Sequence, residues 1–256
     1  MPWRIVLLVF SLIAGATPAS ALTAAGEGRV VAVADGDTVT LDDDTVVRLV
    51  GIQAPKLPLG RPDFAPWPLA DAAKAMLETL ALDQRVALFV GDTALDRHGR
   101  RLAHLYRDDG LWLQGEMLRR GLARVYSFRD NRQLVAEMLA IEAAARTARV
   151  GLWADPYYAV RPADPKRIPR NRFELVEGRV MAVAVARGRA YLNFGPDWRT
   201  DFTARLGPAA RRLFAREGID LAALEGRRVR VRGWVDWRNG PMIEVTHPEQ
   251  IEILGQ

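Results

Sequence analysis

The sequence predicts a mainly β protein with a few helices, an α+β chain built as two small barrels. Three observations carry this reading. Residues 28–107 read as three strands, a helix and two more strands. Residues 171–256 read in the same order. The segment Glu27-Gly28-Arg29-Val30-Val31-Ala32-Val33-Ala34 is echoed as Glu177-Gly178-Arg179-Val180-Met181-Ala182-Val183-Ala184. Three strands, a helix and two strands is the order of the OB barrel, a small Greek-key fold. Two copies are too few for a solenoid, but they suggest two domains that open on equivalent strands.

Leu22 to Glu27 reads as a short flexible entry, and Gly28 to Ala34 as the first strand. Thr38 to Leu41 and Thr45 to Val50 alternate apolar and polar residues around Asp42-Asp43-Asp44, the pattern of a hairpin. Lys56 to Pro68 is a proline-rich loop. Leu69 to Leu82 carries apolar residues at helical spacing. Gln84 to Val90 and Arg101 to Arg107 are the next strands. Leu111 to Arg120 is a helix stopped by Gly121, and Asn131 to Arg149 a longer one stopped by Gly151. Asp155 to Arg170 holds four prolines (156, 162, 165 and 169) and four basic residues, the composition of an extended, semi-rigid linker. Such a boundary predicts few contacts across it and independent folding of residues 171–256. In that half, Ala190 to Phe194, Asp201 to Ala204, Arg227 to Asp236, Met242 to Val245 and Gln250 to Leu254 read as strands, and Pro208 to Arg216 as a helix. The arginines of the long strand alternate with Val229, Val231 and Val235 and are expected to face solvent, although their mixing with Trp234 and Trp237 also suits single-stranded nucleic acid.

The domain boundaries are therefore 1–21, 22–154, 155–170 and 171–256. Residues 1–21 have the form of a secretory signal: Arg4, an apolar run from Ile5 to Ala14, and a small-residue cleavage site at Ala19-Ser20-Ala21. The expectation is an exported, periplasmic or extracellular protein with no stable membrane insertion after cleavage. The 256 residues contain no cysteine, which excludes disulfides, cysteine zinc sites and thiol nucleophiles. The net charge of +5 mildly favours polyanions, and 33 of the 36 basic residues are arginine. The three histidines have no metal-ligand spacing, and no nucleophile elbow or phosphate-cradling glycine loop is present.

Three short stretches carry the chemistry: Asp35-Gly36-Asp37-Thr38, Arg48-Leu49-Val50-Gly51-Ile52 and Asp96-Arg97-His98-Gly99-Arg100. Alone, Asp-Gly-Asp is most often a polar turn, and Arg48 and Arg100 could be solvated arginines on strands. Together, two close carboxylates suit a hard cation and two arginines suit a phosphate. In this order and spacing the stretches resemble the thermonuclease (staphylococcal nuclease-like) family, from about Gly28 to Trp153. The resemblance implies an OB barrel with added helices and Ca²⁺-dependent hydrolysis of phosphodiesters in DNA or RNA, with single strands as the expected form. It implies Ca²⁺ ligands at Asp37, with Asp35 nearby, at Gln53 and at the backbone carbonyl of Ala54. It places Arg48 and Arg100 on the scissile phosphate. The family pattern Arg-Leu-x-Gly-Ile-Asp-x-Pro-Glu departs here at two positions. Gln53 stands for the metal-binding Asp, and Lys56 for the Glu that activates water. An ammonium there repels a metal, so a weakened Ca²⁺ site and impaired activity are expected. A non-catalytic nucleic-acid or polyanion-binding protein with tandem OB barrels is the alternative. The oligomeric state stays open.

Overall fold

The computed structural model describes residues 22–255, and the expected export signal of residues 1–21 lies outside them. The first barrel consists of β1 (Thr23–Asp35), β2 (Thr38–Leu41), β3 (Val46–Leu49), β5 (Arg85–Val90) and β6 (Arg101–Arg107), with a two-residue β4 (Ile52–Gln53) outside it. The barrel closes in the order β1-β2-β3-β6-β5, with β5 returning to β1. The β3–β6 pair is parallel and the others are antiparallel. Alternation along the strands turns Val30, Val39, Val47, Leu49, Val86 and Leu105 into the core. Helix α1 (Ala70–Ala81) covers it with Ala73, Leu77 and Leu80.

Two local expectations are corrected. Leu22 to Glu27 is no flexible entry: from Thr23 it belongs to β1, with Thr23 opposite Val90 and Ala24 opposite Phe89. Its small and polar residues carry no apolar signal, because backbone pairing with β5 holds the segment. The long helix is α3 (Val135–Thr147), shorter than the expected 131–149. Asn131 is instead tied to the loop after β5. Its amide donates to Thr93 O at 2.9 Å and its oxygen accepts from Thr93 N at 3.2 Å. Helix α2 (Leu113–Arg119) and the close of α3 meet at two glycines. A Cβ on Gly121 would lie 2.1 Å from Val150 O, and one on Gly151 2.3 Å from Gly121 O. That approach seats Leu152 and Trp153 as a buried anchor. A second two-residue strand, β7 (Arg124–Val125), pairs with β4.

The segment 155–170 is no free spacer. Pro156–Tyr158 and Pro165–Arg167 form single 3₁₀ turns, capped by the side chains of Asp155 and Asp164. Arg161–Pro162, β8, pairs with β9 (Phe173–Arg179). Tyr158 is buried and donates its hydroxyl to Pro68 O at 2.7 Å. Pro156 and Pro165 start turns rather than an extended rod, because an Asp caps each one and apolar side chains between them find a surface to cover.

The second, barrel-like unit uses β9, β10 (Ala182–Ala186), β11 (Arg189–Asn193), β12 (Thr203–Leu206), α4 (Pro208–Arg216), β13 (Arg228–Trp237), β14 (Pro241–Val245) and β15 (Ile251–Ile253). Its curled sheet runs β10-β11-β12-β14-β13-β9-β8, with β15 paired to β13. The β12–β14 pair is parallel, in the same place as β3–β6. The sequence echo falls on equivalent corners. Arg29 is the last residue to pair with β5, and Arg179 the last to pair with β13. Val30 N then donates to Gln84 O and Val180 N to Arg227 O, both at 2.9 Å. Each arginine reaches the backbone beside that contact, Arg29 at Asp83 O and Arg179 at Gly226 O.

Contrary to the expected sparse boundary, many contacts join the two halves. Tyr126 packs edge-on against Phe173 and accepts a 2.8 Å bond from Trp234 Nε1. His247 Nε2 lies 2.8 Å from Ser127 Oγ. Arg132 pairs with Glu217 and Glu249. Arg232, expected to face solvent, is buried against Glu142 of α3. An alternating strand can present its polar face to another domain as readily as to water.

Candidate functional site

The site forms where β1 turns into β2. Gly36 is required there, because a Cβ would sit 2.7 Å from both the Ala54 and Ala73 methyls. Asp37 N donates to Asp35 Oδ1 at 3.1 Å, which orients the first carboxylate. The Asp37 carboxylate is fully buried and heavily bonded. Its Oδ2 accepts from Ala54 N at 2.7 Å, and its Oδ1 lies 3.2 Å from Arg48 Nη1.

Arg48 is fixed by backbone carbonyls. It donates to Leu49 O at 2.8 Å, Ile52 O at 2.7 Å and Asp37 O at 3.3 Å. Three carbonyls at set angles match the planar fork of a guanidinium and would not suit an ammonium. Arg100 comes from the adjacent edge, one residue before β6. It is held by Asp96, with Nε at 2.8 Å and Nη2 at 2.7 Å from Oδ2, and is 34% exposed. The family-type spacing thus places Arg48 on β3, within the carboxylate cluster, and Arg100 on the loop that leads into its parallel neighbour β6, in a loop ion pair.

Lys56 decides the electrostatics. Its Nζ lies 2.7 Å from both Asp37 oxygens and 3.1 Å from Asp35 Oδ2, and its side chain is 21% exposed. The sequence predicts repulsion of a metal at this position; the structure shows direct capture of both carboxylates. Burial pushes the Asp37 carboxyl up, but Arg48 and Lys56 outweigh it and hold the group down to about 2. Asp35 moves the other way. Burial and the neighbouring Asp37 charge raise it more than Lys56 lowers it.

Gln53 is not part of this cluster, which corrects the expectation of a metal ligand. Its Oε1 accepts from Arg124 Nε at 3.1 Å and Nη2 at 2.7 Å. Arg124 is the residue that sequence reasoning missed. It sits in the two-residue β7, where no periodicity shows, with its guanidinium over Phe173 at 4.6 Å. Burial lowers it to about 10. Ala54 meets the cluster through its N–H. Asp63, a loop carboxylate that could replace the missing Glu, is exposed.

These residues do not fit a divalent cation. Ca²⁺ takes six to eight oxygen ligands. Here the ammonium of Lys56 fills the space between the two carboxylates, and the amide oxygen of Gln53 is turned to Arg124. Among the described residues, no group of three or more His, Cys, Asp or Glu side chains could hold a metal ion.

The profile of the staphylococcal nuclease homologue family matches residues 46–155, which include Arg48, Lys56 and Arg100. A thermonuclease of Staphylococcus intermedius is 30% identical over 157 residues, covering 58% of this chain and 90% of that protein. The chain belongs to the staphylococcal nuclease family. A protein named ParB from Escherichia coli is 35% identical, over 57% of this chain and 81% of its own length. Another family relative, from Escherichia coli O157:H7 and named an uncharacterized endonuclease, is 34% identical over 50% of this chain and 77% of its own length. Within this staphylococcal nuclease frame, the OB barrel with its added helices is the fold the sequence predicts. The second barrel lies outside the matched residues.

Proposed function

We propose that this chain is an exported nucleic-acid phosphodiesterase of the nuclease family, acting on single-stranded DNA or RNA with reduced hydrolytic power. The names of its relatives as thermonuclease and endonuclease support the reaction class. The observation that carries the reading is the ion triad of Asp35, Asp37 and Lys56 beside the fixed Arg48. Arg48 offers a preorganised guanidinium, the group best suited to phosphate oxygens. Lys56 stands where a base would take the proton of attacking water. A lysine ammonium held by two carboxylates has no lone pair to accept it. The same triad favours the second reading, a protein that binds nucleic acid and no longer cleaves it.

Hydrolysis of a fluorogenic oligonucleotide separates the two. The expected result is slow cleavage that rises by about 10²–10⁴-fold in the double variant Gln53→Asp, Lys56→Glu, the usual contribution of a general base. A natural protein already faster than that variant refutes impairment. Absence of cleavage together with tight, salt-sensitive binding selects the second reading. Export is checked by intact mass, and a mature protein that retains residues 1–21 counts against it.

A further inference from the structure

We propose that the Lys56 ammonium is the resident cation of the Asp35–Asp37 pair, taking the place of a divalent metal ion, so that the site neither needs nor binds one. The inference deepens the phosphodiesterase reading and rests on it for the location of the phosphate.

The bonding supports it oxygen by oxygen. Asp37 Oδ1 accepts from Lys56 Nζ and lies beside Arg48, and Oδ2 accepts from Lys56 Nζ and Ala54 N. Asp35 Oδ1 accepts from Asp37 N and Oδ2 from Lys56 Nζ. Every oxygen of the pair is thus occupied by a donor of this chain. The charges also balance, with the cations of Lys56 and Arg48 against two carboxylates. A divalent ion entering this cluster would meet a neutral site with an ammonium at its centre and would have to expel it.

Lys56 is positioned for this role by its backbone. Its carbonyl accepts from Trp67 N at 2.9 Å, and Ala54, two residues before it, is bonded to Asp37. The segment between is short and contains Pro55, which restricts the chain further. The ammonium therefore reaches the carboxylates from an anchored stem. Its remaining exposure faces solvent, from which a phosphate arrives.

The test titrates CaCl₂ alone into metal-free natural protein and into the Lys56→Ala and Lys56→Arg variants, by calorimetry and by thermal shift. In parallel, a labelled single-stranded oligonucleotide is bound with and without chelator. The natural protein and Lys56→Arg should show no Ca²⁺ heat and no thermal shift at millimolar Ca²⁺. Lys56→Ala, which leaves one negative charge of the buried pair unmatched, should gain Ca²⁺ affinity by at least about tenfold and be stabilised by the ion. Saturable Ca²⁺ binding by the natural protein that Asp37→Asn abolishes overturns the proposal. So does a folded Lys56→Ala protein that stays blind to Ca²⁺. If Lys56→Ala does not fold, the natural protein and Lys56→Arg decide alone. Oligonucleotide binding lost in chelator also overturns it, whereas failure to bind with or without Ca²⁺ removes the nucleic-acid reading and leaves the Ca²⁺ result standing.

Discussion

Arg232 of the second barrel places Nη2 2.7 Å from Glu142 Oε2 of the first, and neither side chain is more than 1% exposed. Glu142 also accepts from Val125 N at 2.8 Å, and Arg232 pairs with Glu252 as well. Removing one partner of a buried pair leaves the other charge unmatched, at a cost of about 3–5 kcal/mol. Arg232→Ala and Glu142→Ala should each show that loss in urea denaturation, and the natural protein should unfold in one transition. Arg232→Met with Glu142→Leu should recover part of the loss, since Val125 N–H stays unpaired. Single variants that lose less than about 1 kcal/mol would mean that the pair is solvated.

Acid should loosen the protein before it reaches the carboxylates. Burial lowers His104 and His247 from 6.5 to about 4. His247 is further lowered by Arg132 and Arg232, and it bonds Ser127 across the barrels. Both rings are neutral when folded, so the unfolded chain binds protons first as pH falls. Stability is full above 6.5 and drops toward 4, by up to roughly 3 kcal/mol for each ring. Asp37 contributes in a separate window. Its stabilisation holds above 3.8 and is lost only as pH falls toward 2. Urea midpoints that do not move between neutral pH and about pH 5 would contradict the histidine assignment. His247→Gln should flatten that part of the profile.

The two arginines should separate binding from stability. Arg48→Lys breaks a fork that serves three carbonyls and should cost about 2–4 kcal/mol as well as oligonucleotide affinity, because buried carbonyls are left unpaired. Arg100→Ala removes one loop ion pair and should change stability by less than about 1 kcal/mol while still weakening the oligonucleotide. Equal stability losses in the two variants would show that Arg100 is structural too.

Gln53→Glu tests the partner that the sequence did not reveal. The new carboxylate keeps the length of Gln53 and faces Arg124, so it should form a charge-assisted pair and raise the free energy of unfolding in urea by about 1 kcal/mol or more. It should not create Ca²⁺ affinity, because Arg124 holds it. A Ca²⁺-dependent thermal shift in this variant would mean that the side chain can swing into the cluster.

Strand β6 and helix α4 have the ends that alternation and helical spacing predict, Arg101–Arg107 and Pro208–Arg216, because local pattern alone defines them. Asp35, Asp37, Arg48 and Lys56 were grouped by the resemblance to the nuclease family, and not by any local pattern, although they lie within one short stretch of chain around a hairpin. What escaped depends on distant partners. Gln53 turns to an arginine 71 residues away, and Arg232 to a glutamate 90 residues away. Neither has a local signature, since a polar residue on a strand looks the same whether it meets water or another domain.

The equivalent corners at Val30 and Val180 lead to turns of opposite sign. Two-residue connections join β1 to β2, through Gly36-Asp37, and β10 to β11, through Arg187-Gly188. A helix packs near each turn glycine, with Ala73 of α1 over Gly36 and Pro208 of α4 beside Gly188. The residues bracketing the glycine are Asp35 and Asp37 in one barrel and Arg187 and Arg189 in the other. The same architectural seat thus carries two carboxylates, balanced by Lys56 and Arg48, in one unit and two arginines in the other. The backbone corner therefore does not dictate the charge beside it, since side chains of opposite sign sit on the same turn geometry.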